Sequence, residues 1–454
     1  MVDTSEKCVD LDDVRCPTDV NLGTISRLME TITIVVPYAA SQGSGNNFEP
    51  LFGDFILSGD GKNKLLENKI RKIVDEINNY LKNGTDFKRT WAPFYLLKEI
   101  SQKIKENCLG EDEKCYYRGQ SNNWELLPGT MRSNVNEKYR DAFENEYHQM
   151  GLDYEEITYQ PLSKNSGNEV IDRKEIRVRN IAKLQHFGMA TPFVDITLNP
   201  FVAMYFMLSG KNKNSGFEEL RPEFDIFICS NKVDNGTLVD MAPHTADNVR
   251  LNAQKGAFLN FEKPITHKEM QPLTRIKIEF QFSLPIMIRL LNDEVEAQQT
   301  NKEIKENLKV ISEYFNQFGD EDMSVSDMVS YFNESEKKNI QKQIKSLTMA
   351  KASSSDMSSI AHLRDWLEEV TNLEEKGRGL IQARDFLELQ VVKTLNKFNE
   401  KLRIKLNEYQ VNDLTMFPDL PKHAEYVARK YPPKRNQSNK TKSFDLGVVD
   451  KVEN

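Results

Sequence analysis

Gln185-His-Phe-Gly-Met-Ala-Thr-Pro-Phe-Val-Asp-Ile-Thr-Leu-Asn-Pro-Phe-Val-Ala-Met-Tyr-Phe206 is the stretch around which the chain is organised. Gly188 and Pro192 punctuate its first half, and the β-branched pieces Phe193-Val194 and Ile196-Thr197 read as a strand. Asn199 can then accept from early helix amides, with Pro200 pre-set for the first helical position. Val202, Ala203, Tyr205 and Phe206 make the following helix mostly apolar and hence buried. His186, Thr191, Asp195, Thr197 and Asn199 thus gather at a strand-to-helix junction with core on both sides. A junction of this kind suits a ligand, because the backbone is rigid and helix-start amides point outward. An ordinary structural corner has the same ingredients. Asp195, between Val194 and Ile196, tips the balance towards function, since a half-buried carboxylate is costly unless paired or hydrogen-bonded.

Upstream, an amphipathic helix over 91–104 leads through an acidic loop into Cys115-Tyr-Tyr-Arg118, a short strand ended by Gly119. A guanidinium at a strand end can offer two parallel donors to a phosphate or carboxylate, and the neighbouring glycine lets a ligand approach closely. The competing reading pairs Arg118 internally with Asp195 or a glutamate. Trp124, Leu126-Leu127-Pro128 and Arg132 follow, with Arg132 a second cation. His186, beside Phe187, fits either a core histidine bonded to a carbonyl or a substrate contact.

Downstream, Asp225-Ile-Phe-Ile-Cys229 reads as a buried strand. Gln254 before Gly256 suits a turn that presents an amide, and Ala257 opens another strand. Thr274 to Phe282 alternates cleanly, with Ile276, Ile278, Phe280 and Phe282 on one face. Glu279 then falls on the solvent face, and is the best-placed carboxylate if a late strand must supply one. From residue 286 to about 399 the chain turns polar, Lys/Glu-rich and helix-periodic, with breaks expected at Gly319-Asp320, Ala350 to Ser355 and Gly377-Arg378-Gly379.

Four segments in order resemble the FRG domain, named for an aromatic-Arg-Gly motif. They are Tyr117-Arg118-Gly119-Gln120 with Trp124 to Arg132; Gln185 to Phe206; Arg250 to Phe258; and Leu414-Thr-Met-Phe-Pro-Asp-Leu420. The resemblance implies an α+β fold, a mixed central sheet with flanking helices, here with a large all-helical insertion. The expected organisation is an N-terminal helical and strand extension (1–88), a first FRG part (89–285), the helical insertion (286–399), an FRG closing segment (400–430) and a disordered tail (431–454).

The order of motifs is also similar to an ADP-ribosyltransferase arrangement. That likeness implies Arg118 on NAD phosphates, Thr197, with Thr191 less directly, at the nicotinamide pocket, and Gln254 or Glu279 aligning ribose or acceptor. Tyr117, Gly119, Gln120, Arg132, His186, Thr191 and Asp195 would complete the binding surface. Gln254-Lys255-Gly256 departs from the Glu-x-Glu or Gln-x-Glu pair such enzymes carry. The resemblance implies a cytoplasmic effector of toxin or phage-defence type that uses NAD as substrate and a protein or nucleic acid as acceptor. The helical stretch over 286–399 fits either a surface for a protein partner or a solvated bundle with no partner. A module that recognises a nucleotide or phosphate without catalysis is the alternative.

Composition bounds these readings. With 454 residues the chain is long enough for two or three cores. A net charge of −8 argues against unselective polyanion binding through bulk charge. No apolar run approaches the ~18 residues of a membrane-crossing helix, so no membrane association is expected. Five cysteines without a Cys-x-x-Cys pair fit a reduced compartment and no metal site.

Overall fold

The computed structural model describes residues 9–10, 20–40, 50–59, 63–83, 93–162, 168–208, 220–230, 237–241, 249–266, 269–298, 302–318, 325–332, 336–353 and 360–418. The expected tail over 431–454 lies outside them, as do Cys8, Cys16, Asp419 and Leu420. In chain order the strands are β1 (Val9–Asp10), β2 (Met29–Ala40), β3 (Pro50–Phe52), β4 (Ile56–Gly59), β5 (Glu113–Gln120), β6 (Phe193–Thr197), β7 (Glu223–Ser230), β8 (Val239–Met241), β9 (Gly256–Asn260), β10 (Glu269–Met270) and β11 (Leu273–Phe282). The helices before β11 are α1 (Leu22–Leu28), α2 (Lys64–Asn83), α3 (Pro93–Cys108), α4 (Glu137–Asp153), α5 (Asn168–His186), α6 (Pro200–Phe206), α7 (Val249–Ala253) and α8 (Lys263–Thr266). Those after it are α9 (Leu284–Gln298), α10 (Lys302–Phe318), α11 (Val325–Ser330), α12 (Glu336–Ser353), α13 (Ile360–Glu408) and α14 (Asp413–Met416).

The fold is mixed α+β, as expected. Nine strands form one sheet in the order β3-β2-β11-β7-β5-β6-β9-β8, with β4 also on β2. The β2–β11 pair is parallel, and the other pairings of the sheet are antiparallel. The N-terminal stretch therefore supplies a strand inside the sheet. Alternation explains why: Ile32, Ile34, Val36 and Tyr38 fall on one face of β2 and share a core with Ile276, Ile278 and Phe280 of β11. Helices α2, α3 and α6 and the end of α13 cover that face through Ile70, Phe94, Val202 and Leu402.

The opposite face is divided. One half is apolar, with Tyr116, Phe227, Val194, Ile196 and Leu259 under Ile25 and Leu28 of α1. The other half is charged. Arg275 and Lys277 of β11 bond to Glu223 and Asp225 of β7, and Glu279 is held by Lys277 at 2.9 Å and by Arg221 at 3.5 Å. Glu279 is only 7% exposed, which corrects its expected solvent-facing position. Alternation placed it on the right face, but that face is itself covered.

Helices α9 to α13 build a further core with Ala39, Leu51 and Phe282 from the sheet end. The expected break at Gly377-Arg378-Gly379 is absent, because α13 runs through it. Each interior glycine costs about 1 kcal/mol relative to alanine, and burial of Leu380, Ala383 and Leu387 just beyond offsets this. At 49 residues α13 is about 74 Å long, and it crosses residue 399, where a change of domain was expected. Leu380 to Val391 pack in the helical core, Phe398 to Leu406 in the sheet core. Between them Thr394 Oγ1 accepts from the Ala40 amide at 3.2 Å. Phe398 is completely buried, its ring 4.8 Å from Phe280 and 5.4 Å from Tyr38. Phe398→Ala is expected to cost ~3–5 kcal/mol, read as a lowered denaturant midpoint.

Candidate functional site

Strands β5 and β6 are neighbours in the sheet, yet they pair at one position, Tyr117 with Thr197. Beyond it they part. The Asp195 carbonyl, in line for the next residues of β5, accepts instead from Arg118 Nη1 at 2.7 Å. A cleft of about 800 Å³ lies at this split, lined by Tyr117, Arg118, Gly119 and Gln120 from β5 and by Asp195, Ile196 and Thr197 from β6. Trp124, Arg132 and Arg140, with Leu22 and Phe206, complete much of the wall. The volume is in the range of small-molecule and cofactor sites.

Arg118 lies at the floor. Its Nε is buried without a hydrogen-bond partner. Burial pulls its pKa downward, while the carboxylates of Asp195 and Asp225 oppose the shift. Asp195 is open to solvent through the cleft although protein surrounds it. That surrounding pushes its carboxyl pKa upward, against the pull of Arg118, the Gln185 hydrogen bond and Arg132. Arg132 is exposed at the wall, and Arg140 donates Nε to the Thr130 carbonyl at 3.2 Å. Three arginines against Asp195 and Glu125 give the cleft a positive balance in an acidic chain, which suits an anionic ligand. Trp124, 55% exposed, offers an aromatic plane at the wall.

The structure brings Arg118, Thr197, Gln254, Gln120, Arg132 and Asp195 to this one cleft, but several act differently from expectation. Gly119 admits a helix: a Cβ there would stand 1.8 Å from the Ala203 carbonyl oxygen of α6. The glycine is needed because α6 lies directly on β5, a contact no local pattern discloses. Tyr117 is completely buried, with its ring 5.8 Å from that of Phe224, so it shapes the wall from the core side. Gln120 donates to Glu223 at 2.9 Å and to the Trp124 carbonyl at 2.8 Å, pinning the loop that carries the tryptophan.

Thr197 donates its hydroxyl to the Gln254 carbonyl at 2.6 Å and accepts from the Asn199 amide at 3.0 Å. The expected cap holds, as Asn199 Oδ1 accepts from the Phe201 amide at 3.0 Å. Gln254 gives its side-chain amide to the Met416 carbonyl at 3.0 Å. That bond ties the closing segment to the cleft, as do the Arg250 guanidinium over the Phe417 ring and the Tyr205 hydroxyl on Asp413. The four sequence motifs therefore meet in space.

Three predicted residues do not line the cleft. Glu279 is held in the charged cluster on β11. His186 ends α5 beside Phe187, one helical step (about 100°) from Gln185 and so turned elsewhere. Thr191 is buried behind the wall, its hydroxyl on Gln185. Gln185 is the residue the sequence reading left out: its Nε2 donates to Asp195 Oδ1 at 2.7 Å. Its signal was its place at the end of α5, where Gly188 (φ 98°) turns the chain back towards β6.

The class defined here is a mixed-sheet α+β protein with an anion-suited cleft at a split in the sheet. The family model of the FRG domain matches residues 113–216, so the chain carries an FRG domain. Comparison with curated proteins and with solved structures gave no match. Among the described residues, no group of three or more His, Cys, Asp or Glu could hold a metal ion, and no helix is long and apolar enough to cross a membrane.

Two outcomes follow. Gly119→Ala is expected to destabilise the fold by roughly 1–3 kcal/mol or more, since backbone rather than a flexible side chain must move; calorimetric melting measures this. Burial and the neighbouring Asp225 push the Glu223 carboxyl up to about 8. With the folded value above the unfolded one, Glu223 contributes stability that is fully present below about 4.5 and is lost as pH rises through about 8. Glu223→Gln is expected to flatten that part of the stability–pH curve, measured by denaturation at a series of pH values.

Proposed function

We propose that the cleft binds NAD and transfers its ADP-ribose to a macromolecular acceptor, as expected for a cytoplasmic effector of toxin or defence type. The observation that carries this reading is Arg118: a guanidinium on the floor of a dinucleotide-sized cleft, with Nη1 committed to the Asp195 carbonyl. Arg118 would hold the diphosphate, aided by Arg132, and Trp124 would stack on a base. In the transfer, the bond between the ribose C1′ and the nicotinamide ring nitrogen breaks, and its electron pair leaves on nicotinamide. A nucleophile of the acceptor forms the new bond to C1′ and releases its proton.

Asp195 takes the role that sequence reasoning left with Gln254 or Glu279. Its carboxylate faces the cleft, where it can stabilise positive charge developing on the ribose or receive the acceptor's proton. Gln254, with its amide on Met416, would shape the wall.

A second reading keeps the ligand and drops the chemistry. The internal engagement of the Thr197 hydroxyl and the Gln254 amide favours a module that recognises a nucleotide or phosphate without turnover.

The two readings separate in one experiment. The protein is incubated with radiolabelled NAD and cell lysate, following nicotinamide release and label transfer alongside NAD binding by calorimetry. Under the transferase reading Asp195→Asn abolishes release while binding persists. Arg118→Ala is expected to weaken binding roughly 10- to 100-fold, the loss of one hydrogen bond to a charged group. Binding without release in the unaltered protein supports the module; no binding of NAD overturns the transferase reading.

A further inference from the structure

Behind the cleft wall runs a short hydrogen-bond relay. The Phe193 amide donates to Thr191 Oγ1 at 3.4 Å, so that oxygen acts as acceptor on one side. The hydroxyl has one proton, and it goes to Gln185 Oε1. Because the amide oxygen of Gln185 is thereby turned to Thr191, its NH2 faces Asp195 and donates to Oδ1 at 2.7 Å. Asp195 is left with Oδ2 as the oxygen it can offer the cleft. Thr191 is 1% exposed and cannot exchange its partner for water.

We infer that Gln185 and Thr191 are positioning residues for Asp195, with Thr191 setting the orientation of the Gln185 amide and Gln185 holding the carboxylate ionised and fixed in direction. The inference rests on the reading of Asp195 as the working carboxylate. The reversed amide would set its carbonyl oxygen against Asp195, and two acceptors would then face each other. The other charges that bear on Asp195 are Arg118 from β5 and Arg132 from the loop after it, with Arg140 of α4 and Glu125 on the same cleft. Burial works against ionisation of Asp195, so the relay acts where the balance is contested.

The test is a carbon-13 carboxyl NMR titration of the full chain without ligand, the Asp195 signal being identified by its loss in Asp195→Asn. Gln185→Leu is expected to raise the Asp195 midpoint by roughly 1 unit, the loss of one hydrogen bond to a charged group, and Thr191→Val, which frees the Gln185 amide to reverse, to raise it by less. Gln185→Glu, which keeps the shape and opposes a second carboxylate to Asp195, moves it further in the same direction. Thr191→Ser keeps the hydroxyl and the unaltered midpoint. An unchanged midpoint in folded Gln185→Leu or Gln185→Glu overturns the inference. So does a Thr191→Ser midpoint that shifts as far as that of Thr191→Val. In NAD turnover the same variants are expected to move the acidic limb of the kcat profile to higher pH. Midpoints that move as expected in a protein that never turns over NAD leave the relay standing and remove the transferase reading.

Discussion

The cleft exists because one guanidinium takes the place of a backbone amide. Where β5 and β6 part after Tyr117 and Thr197, the Asp195 carbonyl would lose its ladder partner. Arg118 Nη1 supplies the missing donor at 2.7 Å. The same bond fixes the guanidinium across the split and keeps the Asp195 side chain on the adjoining wall. A sheet with continuous pairing at this position would have neither the opening nor the charge in it.

That arrangement is supported from beneath by charges that are almost entirely out of water. Arg275 forks onto Asp225 at 2.7 and 3.0 Å and reaches Glu223 at 2.6 Å. Glu223 in turn receives Gln120, which also holds the Trp124 carbonyl. A buried network of this kind gains little net stability, since desolvation offsets much of the attraction. What it provides is a fixed geometry: the aromatic loop, β7 and β11 are linked through a few charge-assisted bonds. On the far face the contact of α6 with Gly119 holds the same strand from behind.

The distant parts of the chain converge on this strand pair. Gln254 bridges to Met416, Tyr205 to Asp413, and the Arg250 guanidinium lies 5.0 Å from the centre of the Phe417 ring. The closing segment reaches that position at the end of α13, the helix that also enters the helical core. The long excursion after β11 thus returns the chain to within hydrogen-bonding distance of the third motif. Loop-closure entropy tolerates such excursions well when their ends are fixed by the surrounding fold.

Local chemistry was readable along the chain. Period-two alternation marked β11, the apolar run marked β7, and the Asn199-Pro200 pair marked the start of α6, since each depends on residues a few positions apart. The first two motifs lie within the matched FRG region, and the sequence placed Arg118, Thr197 and Asp195 among the residues that line one cleft. Three things were decided only in three dimensions. Gly119 answers to Ala203, 84 positions away in sequence. Glu279 is buried because a second layer covers a face that alternation alone assigns to solvent. Gln185 acquires its role only when α5, turned by Gly188, comes back against β6. A sequence specifies which side of a strand a residue occupies; what lies over that side is set by segments whose approach no local period encodes.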